Sequence, residues 1–159
     1  MSEKLKSSAQ RVQEALQYHS LSCEVVQMQD TTRSAEDAAR AVGCEVGQIV
    51  KSLIFKGKQS HQPVLVVTSG ANRVNEKTIG QRLAESIKMA NPEFVREMTG
   101  FAIGGVPPVG HLHALKIFID EDLLQYEEIW AAAGTPHAVF KLTPEELKTI
   151  TNGTVISVK

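Results

Sequence analysis

Two short apolar runs, Ile49 to Lys56 (IVKSLIFK) and Pro63 to Ser69 (PVLVVTS), flank the polar segment GKQSHQ. Runs rich in β-branched residues on either side of such a segment predict a β-hairpin. A hairpin commits the chain to a sheet with at least one antiparallel pair. Further strands are predicted at Ser22 to Met28, Ala114 to Asp120, Ile129 to Ala133, His137 to Leu142 and Thr154 to Val158.

Helices fall between them. Leu5, Ala9, Val12 and Leu16 recur on one helical face and predict an N-terminal helix within residues 1–20. Ser34 can cap a helix that runs through Val42, with Gly43 where a left-handed end is cheap. Asn75 precedes a helical stretch to about Leu83, Pro92 to Met98 is a short helix, and Asp120 to Glu127 another. Thr143-Pro144-Glu145-Glu146 carries a Thr cap, Pro at the first helical position and Glu three residues after the cap. Strands alternate irregularly with short helices and there is no internal repeat. At 159 residues this predicts one compact α/β domain over residues 1–159, with a curved, mixed, largely antiparallel sheet and short helices around it.

Composition removes several function classes. With 42% apolar and 22% charged residues, the chain has the balance of an ordinary globular protein. A formal net charge of −1 lacks the basic excess of a tight, non-specific nucleic-acid binder. Cys23 and Cys44 form no CxxC, and no Cys/His set has zinc-ligand spacing, so two reduced thiols are expected. The first residues lack the apolar run of a signal peptide, and no segment reaches bilayer length. A cytoplasmic protein is expected. No GxGxxG, GxxxxGK[ST] or GxSxG occurs, so neither a standard nucleotide loop nor a local nucleophile motif is present.

Three places carry candidate chemistry. Lys51 is the charged residue on a strand face shared with Ile49, Leu53 and Phe55. It reads either as an amine emerging from the sheet edge along its apolar stem or as a lysine held in a pocket against a carbonyl or carboxylate oxygen. The segment Ile103 to His111 (IGGVPPVGH) combines three glycines with two prolines. Glycines let backbone N–H groups converge on one oxygen, and Pro107 and Pro108 can hold such donors in place. The segment therefore reads as a backbone oxyanion hole or as a rigid structural turn. His111 and His113 suggest a metal pair, but no third ligand lies near them in sequence and no metal is expected. His137 follows Gly134-Thr135-Pro136 at a strand start, where side chains often reach a pocket.

The series IVKSLIF, VVTSGANRVNEKTI, MTGFAIGGVPPVGH and WAAAGTPHAVFKLTPEEL resembles the YbaK/EbsC family, free-standing relatives of the editing domain of bacterial prolyl-tRNA synthetases. The resemblance runs from about Asp30 to the C-terminus. It implies an aminoacyl-tRNA deacylase without a cofactor, acting on the acceptor end of tRNA, with a synthetase as possible partner and no role for DNA or a membrane. It also implies that Lys51 and the loop Gly104-Gly105-Val106-Pro107-Pro108 frame the site. On this footing Lys51, Gly104 and Gly105 are expected to be catalytic, the two glycine N–H groups holding the ester carbonyl and Lys51 orienting the substrate through its carbonyl or the terminal phosphate of the tRNA. Ser52, Val106, Pro107, Pro108, Thr135 and His137 are expected to contact substrate, with His137 lining the amino-acid pocket. Lys56, Arg73 and Lys77, together with Arg33 and Lys58, are expected to form a rim for tRNA phosphates.

GTPHAVF is similar to the subgroup that acts on small amino acids such as alanine, serine or threonine. Some alanine-specific relatives have asparagine where this chain has Ser52. A non-catalytic aminoacyl-tRNA binding module and a small-molecule esterase are the alternatives.

Overall fold

The computed structural model describes residues 7–159. The first helix, α1, is Ser7–Tyr18 and buries Ala9, Val12 and Leu16; Leu5 and the predicted start of this helix lie outside the described residues. Strand β1 is Val25–Gln27, shorter than the apolar run that predicts it. Helix α2, Ala35–Val42, begins with the Ser34 hydroxyl accepting from the Asp37 N–H and ends on Gly43 at φ 77°. The hairpin follows as β2, Ile49–Gly57, and β3, Pro63–Ser69. Helix α3 is Glu76–Leu83, capped by Asn75. Strand β4 is Ile87–Met89, and α4 is Pro92–Thr99, capped by Asn91.

Strand β5 is Lys116–Asp120, and the predicted helix after it is a 3-10 turn over Glu121–Gln125. The chain ends with β6, Ile129–Ala132, β7, Ala138–Leu142, α5, Pro144–Thr151 with the expected capping box, and β8, Thr154–Ile156.

All eight strands join one mixed sheet in the order β1-β7-β6-β2-β3-β5-β8, with β4 also against β2. Four pairings are antiparallel and three parallel. β3 is central: every one of its residues is buried, as in a strand covered on both faces. Leu65 and Val67 face a core shared with α1 and the loop after α4. Val64 and Val66 face a second core with Phe55, Phe118 and Ile79. Helix α2 lays Ala35, Ala38 and Ala39 against Ile49 in a third, smaller cluster.

Two polar arrangements fix the connections. At the C-terminal end of β5, Asp120 is 0% exposed. Its carboxylate accepts from the Thr68 hydroxyl, the Ser69 N–H, the Asn72 amide and the Asp122 N–H, at 2.8–3.0 Å. Buried charge is tolerable when its lone pairs are filled in this way.

The second arrangement holds the glycine-proline loop. Gly104, at φ 97°, occupies a turn closed by the Gly105 N–H donating to the Ala102 carbonyl at 3.2 Å. The Gly105 carbonyl then accepts from the Gly134 N–H at 2.8 Å. A Cβ on Gly105 would lie 2.8 Å from the Thr135 nitrogen, so only glycine permits this approach. The Pro136 carbonyl in turn accepts from the N–H and hydroxyl of Thr32, at 2.6 and 2.9 Å. Three segments distant in sequence are thus tied in series. Downstream, His111 Nε2 lies 2.7 Å from the Pro107 carbonyl. A carbonyl only accepts, so Nε2 carries the proton. Burial pushes the pKa of this ring below the ordinary imidazole value, partly offset by that bond.

Two variants test these arrangements. Asp120→Ala leaves four donors without their acceptor and lowers the free energy of unfolding by about 3 kcal/mol, read as a lower urea midpoint; an unchanged midpoint refutes the role given to the carboxylate. Gly105→Ala drives a methyl group into backbone that cannot rotate away and costs about 2 kcal/mol of stability, measured in the same way. Loss of activity at wild-type stability contradicts it.

Candidate functional site

The site begins with a gap in the sheet. Along one edge β2 pairs continuously with β3. Along the other, Ile49 and Val50 pair with β6, while Phe55 to Gly57 pair with β4. One further bond, from the Ala90 N–H to the Ile54 carbonyl at 3.1 Å, closes the β4 side. Residues 51–53 have no strand beside them, which opens about 10 Å of edge. The Ile54 carbonyl faces this edge, and backbone groups two residues apart along a strand point the same way. The N–H and C=O of Ser52 therefore face the gap.

A cleft of about 400 Å³ fills it, a size suited to a small-molecule portion of a substrate. One wall is β2, with Lys51, Ser52 and Leu53; another is the start of α2, with Arg33 and Ser34. Ile103, Gly104 and Val106 close it from the glycine-proline loop, and Ala131, Ala132 and Val139 supply an apolar side. Met89 and Ile103 are both more than half exposed at this cleft.

Among the described residues, the lining holds two cations, Lys51 and Arg33, and no carboxylate, histidine or thiol. Neither cation has a carboxylate within ion-pair distance among the described residues. The Ser52 hydroxyl is closed to solvent and has no hydrogen-bond partner. A buried polar group without a partner is costly unless a ligand or ordered water completes it. Among the described residues, the N–H groups of Gly104 and Val106 donate to no protein acceptor either. Among the described residues, Gly104 and Val106, with uncommitted N–H groups, and the unpaired cations Lys51 and Arg33 thus line one cleft. That arrangement can hold a carbonyl or phosphoryl oxygen and stabilise negative charge developing on it.

The expected site residues divide. Lys51, Ser52, Gly104 and Val106 are brought together. Gly105 is corrected: its N–H is spent on Ala102, so it shapes the loop and does not face the cleft. Pro107 and Pro108 are buried behind the loop and are not on the lining. Thr135 also lies off the lining, its hydroxyl accepting from the His137 N–H at 3.2 Å. His137 is corrected as well: it is exposed, with Nδ1 3.3 Å from the Asp30 carbonyl. A residue at a strand start points to whichever side the turn before it dictates, and here that side is solvent.

The expected phosphate rim is likewise not one surface around the cleft. Lys56 stacks over Phe94 at 4.7 Å, next to Val95 of the cleft wall. Lys77 and Lys58 line a separate depression, and Arg73 is exposed and off the lining. Arg33, which the sequence places only in that general rim, is on the lining itself. The signal was present: it immediately precedes the Ser34 cap, at the point where α2 meets the cleft. The described residues include no cluster of three or more His, Cys, Asp or Glu suited to a metal ion. His111 instead latches Pro107.

Comparison with known proteins agrees with this geometry. The family model described as "Aminoacyl-tRNA editing domain" matches residues 29–150. The uncharacterized protein YwhH of Bacillus subtilis is 32% identical over 124 residues, 78% of each chain. EbsC of Enterococcus faecalis, named as a candidate Cys-tRNA(Pro)/Cys-tRNA(Cys) deacylase, is 29% identical over 76% of this chain and 73% of its own. The proline–tRNA ligase of Thermosipho melanesiensis is 37% identical over 92 residues, which are 57% of this chain but 16% of the ligase. A crystal structure described as a candidate trans-editing enzyme for prolyl-tRNA synthetase superposes with a TM-score of 0.93 at 48% identity, covering 98% of this chain and 99% of that one. In sequence and in fold, this chain belongs to the aminoacyl-tRNA editing domain family.

Proposed function

We propose that the cleft hydrolyses the ester joining a small amino acid to the terminal adenosine of tRNA, as a free-standing editing enzyme. One observation carries the reading: the Lys51 ammonium and the uncommitted N–H groups of Gly104 and Val106 share a cleft. Attack on an ester carbonyl turns its oxygen into an oxyanion, and these are donors for that charge. Each fixed donor of this type is worth about 3 kcal/mol in the transition state.

Water supplies the nucleophile. Its oxygen bonds to the carbonyl carbon, the bond from that carbon to the ribose 3′ oxygen breaks, and the proton passes to the departing 3′ oxygen. Among the described residues, the lining offers no carboxylate or imidazole to carry the proton, which supports transfer through the substrate's own α-amine or neighbouring ribose hydroxyl. An aminoacyl ester is already activated, so positioning and charge stabilisation suffice.

The acyl group is proposed to be small and of the alanine, serine or threonine type. Support comes from the apolar side formed by Ala131, Ala132 and Val139, which suits a short side chain. His137, being exposed, does not bear on the choice. The name of EbsC points to cysteine for that relative. Size selection in an apolar pocket is weak, about 1–3 kcal/mol per methylene, so overlap among small residues is expected.

The test is a deacylation panel of tRNA(Pro), tRNA(Thr) and tRNA(Ala), each charged with Ala, Ser, Thr, Cys and Pro. Wild type should clear at least one small aminoacyl group, and Lys51→Ala should slow its best substrate about 100-fold with an unchanged melting temperature. Full activity in the variant would remove Lys51 from the mechanism. Cysteine cleared fastest would replace the substrate assignment.

A further inference from the structure

Arg33 has no part in the hydrolysis just described, yet its position is specific. A Cβ on Gly104 would lie 3.1 Å from Arg33 Nε and 3.4 Å from its Cγ, so this side chain rests on the glycine at the cleft wall. Gly104, at φ 97°, is a position where L side chains are strained, and the bare backbone there is what leaves room for the arginine. The segment carrying Arg33 is itself anchored: the Thr31 hydroxyl accepts from the Arg33 N–H at 3.2 Å, and Thr32 is tied to Pro136. Helix α2 starts one residue later, at the Ser34 cap.

Among the described residues, no carboxylate pairs with Arg33. Asp37 is paired with Arg40 at 3.0 Å. Glu36, in the first turn of α2, is exposed and off the cleft lining, and so is Asp30. On the cleft side the other charge is Lys51, also positive. A guanidinium that lines the same cleft as a second cation, unpaired and with no carboxylate on the lining among the described residues, is arranged for an anion.

We propose that Arg33 binds the phosphate on the 5′ side of the terminal adenosine, so that the enzyme reads its substrate as a nucleotide ester and not as a plain amino-acid ester. The inference rests on the hydrolase reading for the placing of the ester at Gly104. With the carbonyl there, the nearest anion of the substrate is the 5′ phosphate of the same nucleoside, one ribose away. The arginine that lies on Gly104 is the residue within reach of it. A planar fork of donors matches a phosphate bidentately, and Lys51 is left to the carbonyl.

The experiment titrates adenosine, adenosine 5′-monophosphate and inorganic phosphate against wild type, Arg33→Ala and Arg33→Lys at matched ionic strength, with thermal melts as the folding control. Adenosine 5′-monophosphate should bind wild type about ten-fold tighter than adenosine or more, the ratio falling to near one in Arg33→Ala and only partly in Arg33→Lys. A ratio that survives in Arg33→Ala overturns the assignment. Inorganic phosphate binding as tightly as the nucleotide overturns it too, by revealing a plain anion site.

A second arm compares 3′-O-alanyl-adenosine, 3′-O-seryl-adenosine and 3′-O-cysteinyl-adenosine with their 5′-monophosphates. The phosphate should raise kcat/KM through KM, and Arg33→Ala should erase that advantage. If no ester is hydrolysed while the nucleotide preference and its loss persist, the phosphate site stands and the hydrolase reading falls. If esters with and without phosphate are hydrolysed equally fast, the hydrolase reading stands and the phosphate site falls.

Discussion

The outer edge of β2 is shared by two strands that never meet, and the site exists because of that division. β6 occupies the first two residues and β4 the last three, and the stretch between has no backbone partner on that side. Bare sheet edges are liabilities, since unpaired N–H and C=O groups invite other strands. Here the exposed length is three residues, flanked by strands on both ends and roofed by α2 and the glycine-proline loop. Another strand could not be seated there. A small ligand with its own donors and acceptors could, and the unpartnered Ser52 hydroxyl adds to the polar groups awaiting one.

Holding the roof over this gap requires rigidity without wasted hydrogen bonds, which is what mixing glycine with proline achieves. Pro107 and Pro108 are buried, and burying them strands no N–H because they have none. The glycines divide the remaining work. Gly105 permits contact with the backbone at Gly134 and Thr135, and Gly104 turns the chain so that its own N–H is left uncommitted. Because Gly105 is bonded through Gly134 to the segment that holds Thr32, the loop and the start of α2 move as one unit. The donors at the cleft are therefore fixed before substrate arrives, the condition under which such donors lower a barrier.

Much of this was legible because it follows from local rules. The hairpin, the caps at Ser34 and Thr143 and the left-handed Gly43 need only near neighbours in sequence, and each stands where the residues predict it. β4 was not legible: three residues, two of them exposed, have neither the length nor the alternation that marks a strand. The parallel pairings of β2 with β6, β3 with β5 and β5 with β8 depend on strand order, which no short stretch encodes. The site shows the same boundary. Lys51 and Gly104, singled out from local pattern, do line the cleft, whereas the fate of the Gly105 N–H and the direction of His137 were decided by which distant segment packs against each.

The charge of the cleft bears on how a site that has no carboxylate or imidazole among the described lining residues can work. The whole chain carries −1, yet among the described residues the charged groups of the cleft lining are both cations, and the overall field gives RNA at large little attraction. Selection then falls on the one end of a tRNA that combines an ester, a phosphate and an amine. Of these the amine enters least willingly as a cation, because Lys51 and Arg33 disfavour a third positive charge. On the proposed reading that repulsion is useful. It favours the free-base amine beside the ester carbonyl, where a base is needed to take a proton from the attacking water. On that reading, the lack of a carboxylate or imidazole among the described lining residues and the two cations there have one explanation, with the field that stabilises the oxyanion also holding the substrate's amine in its reactive form.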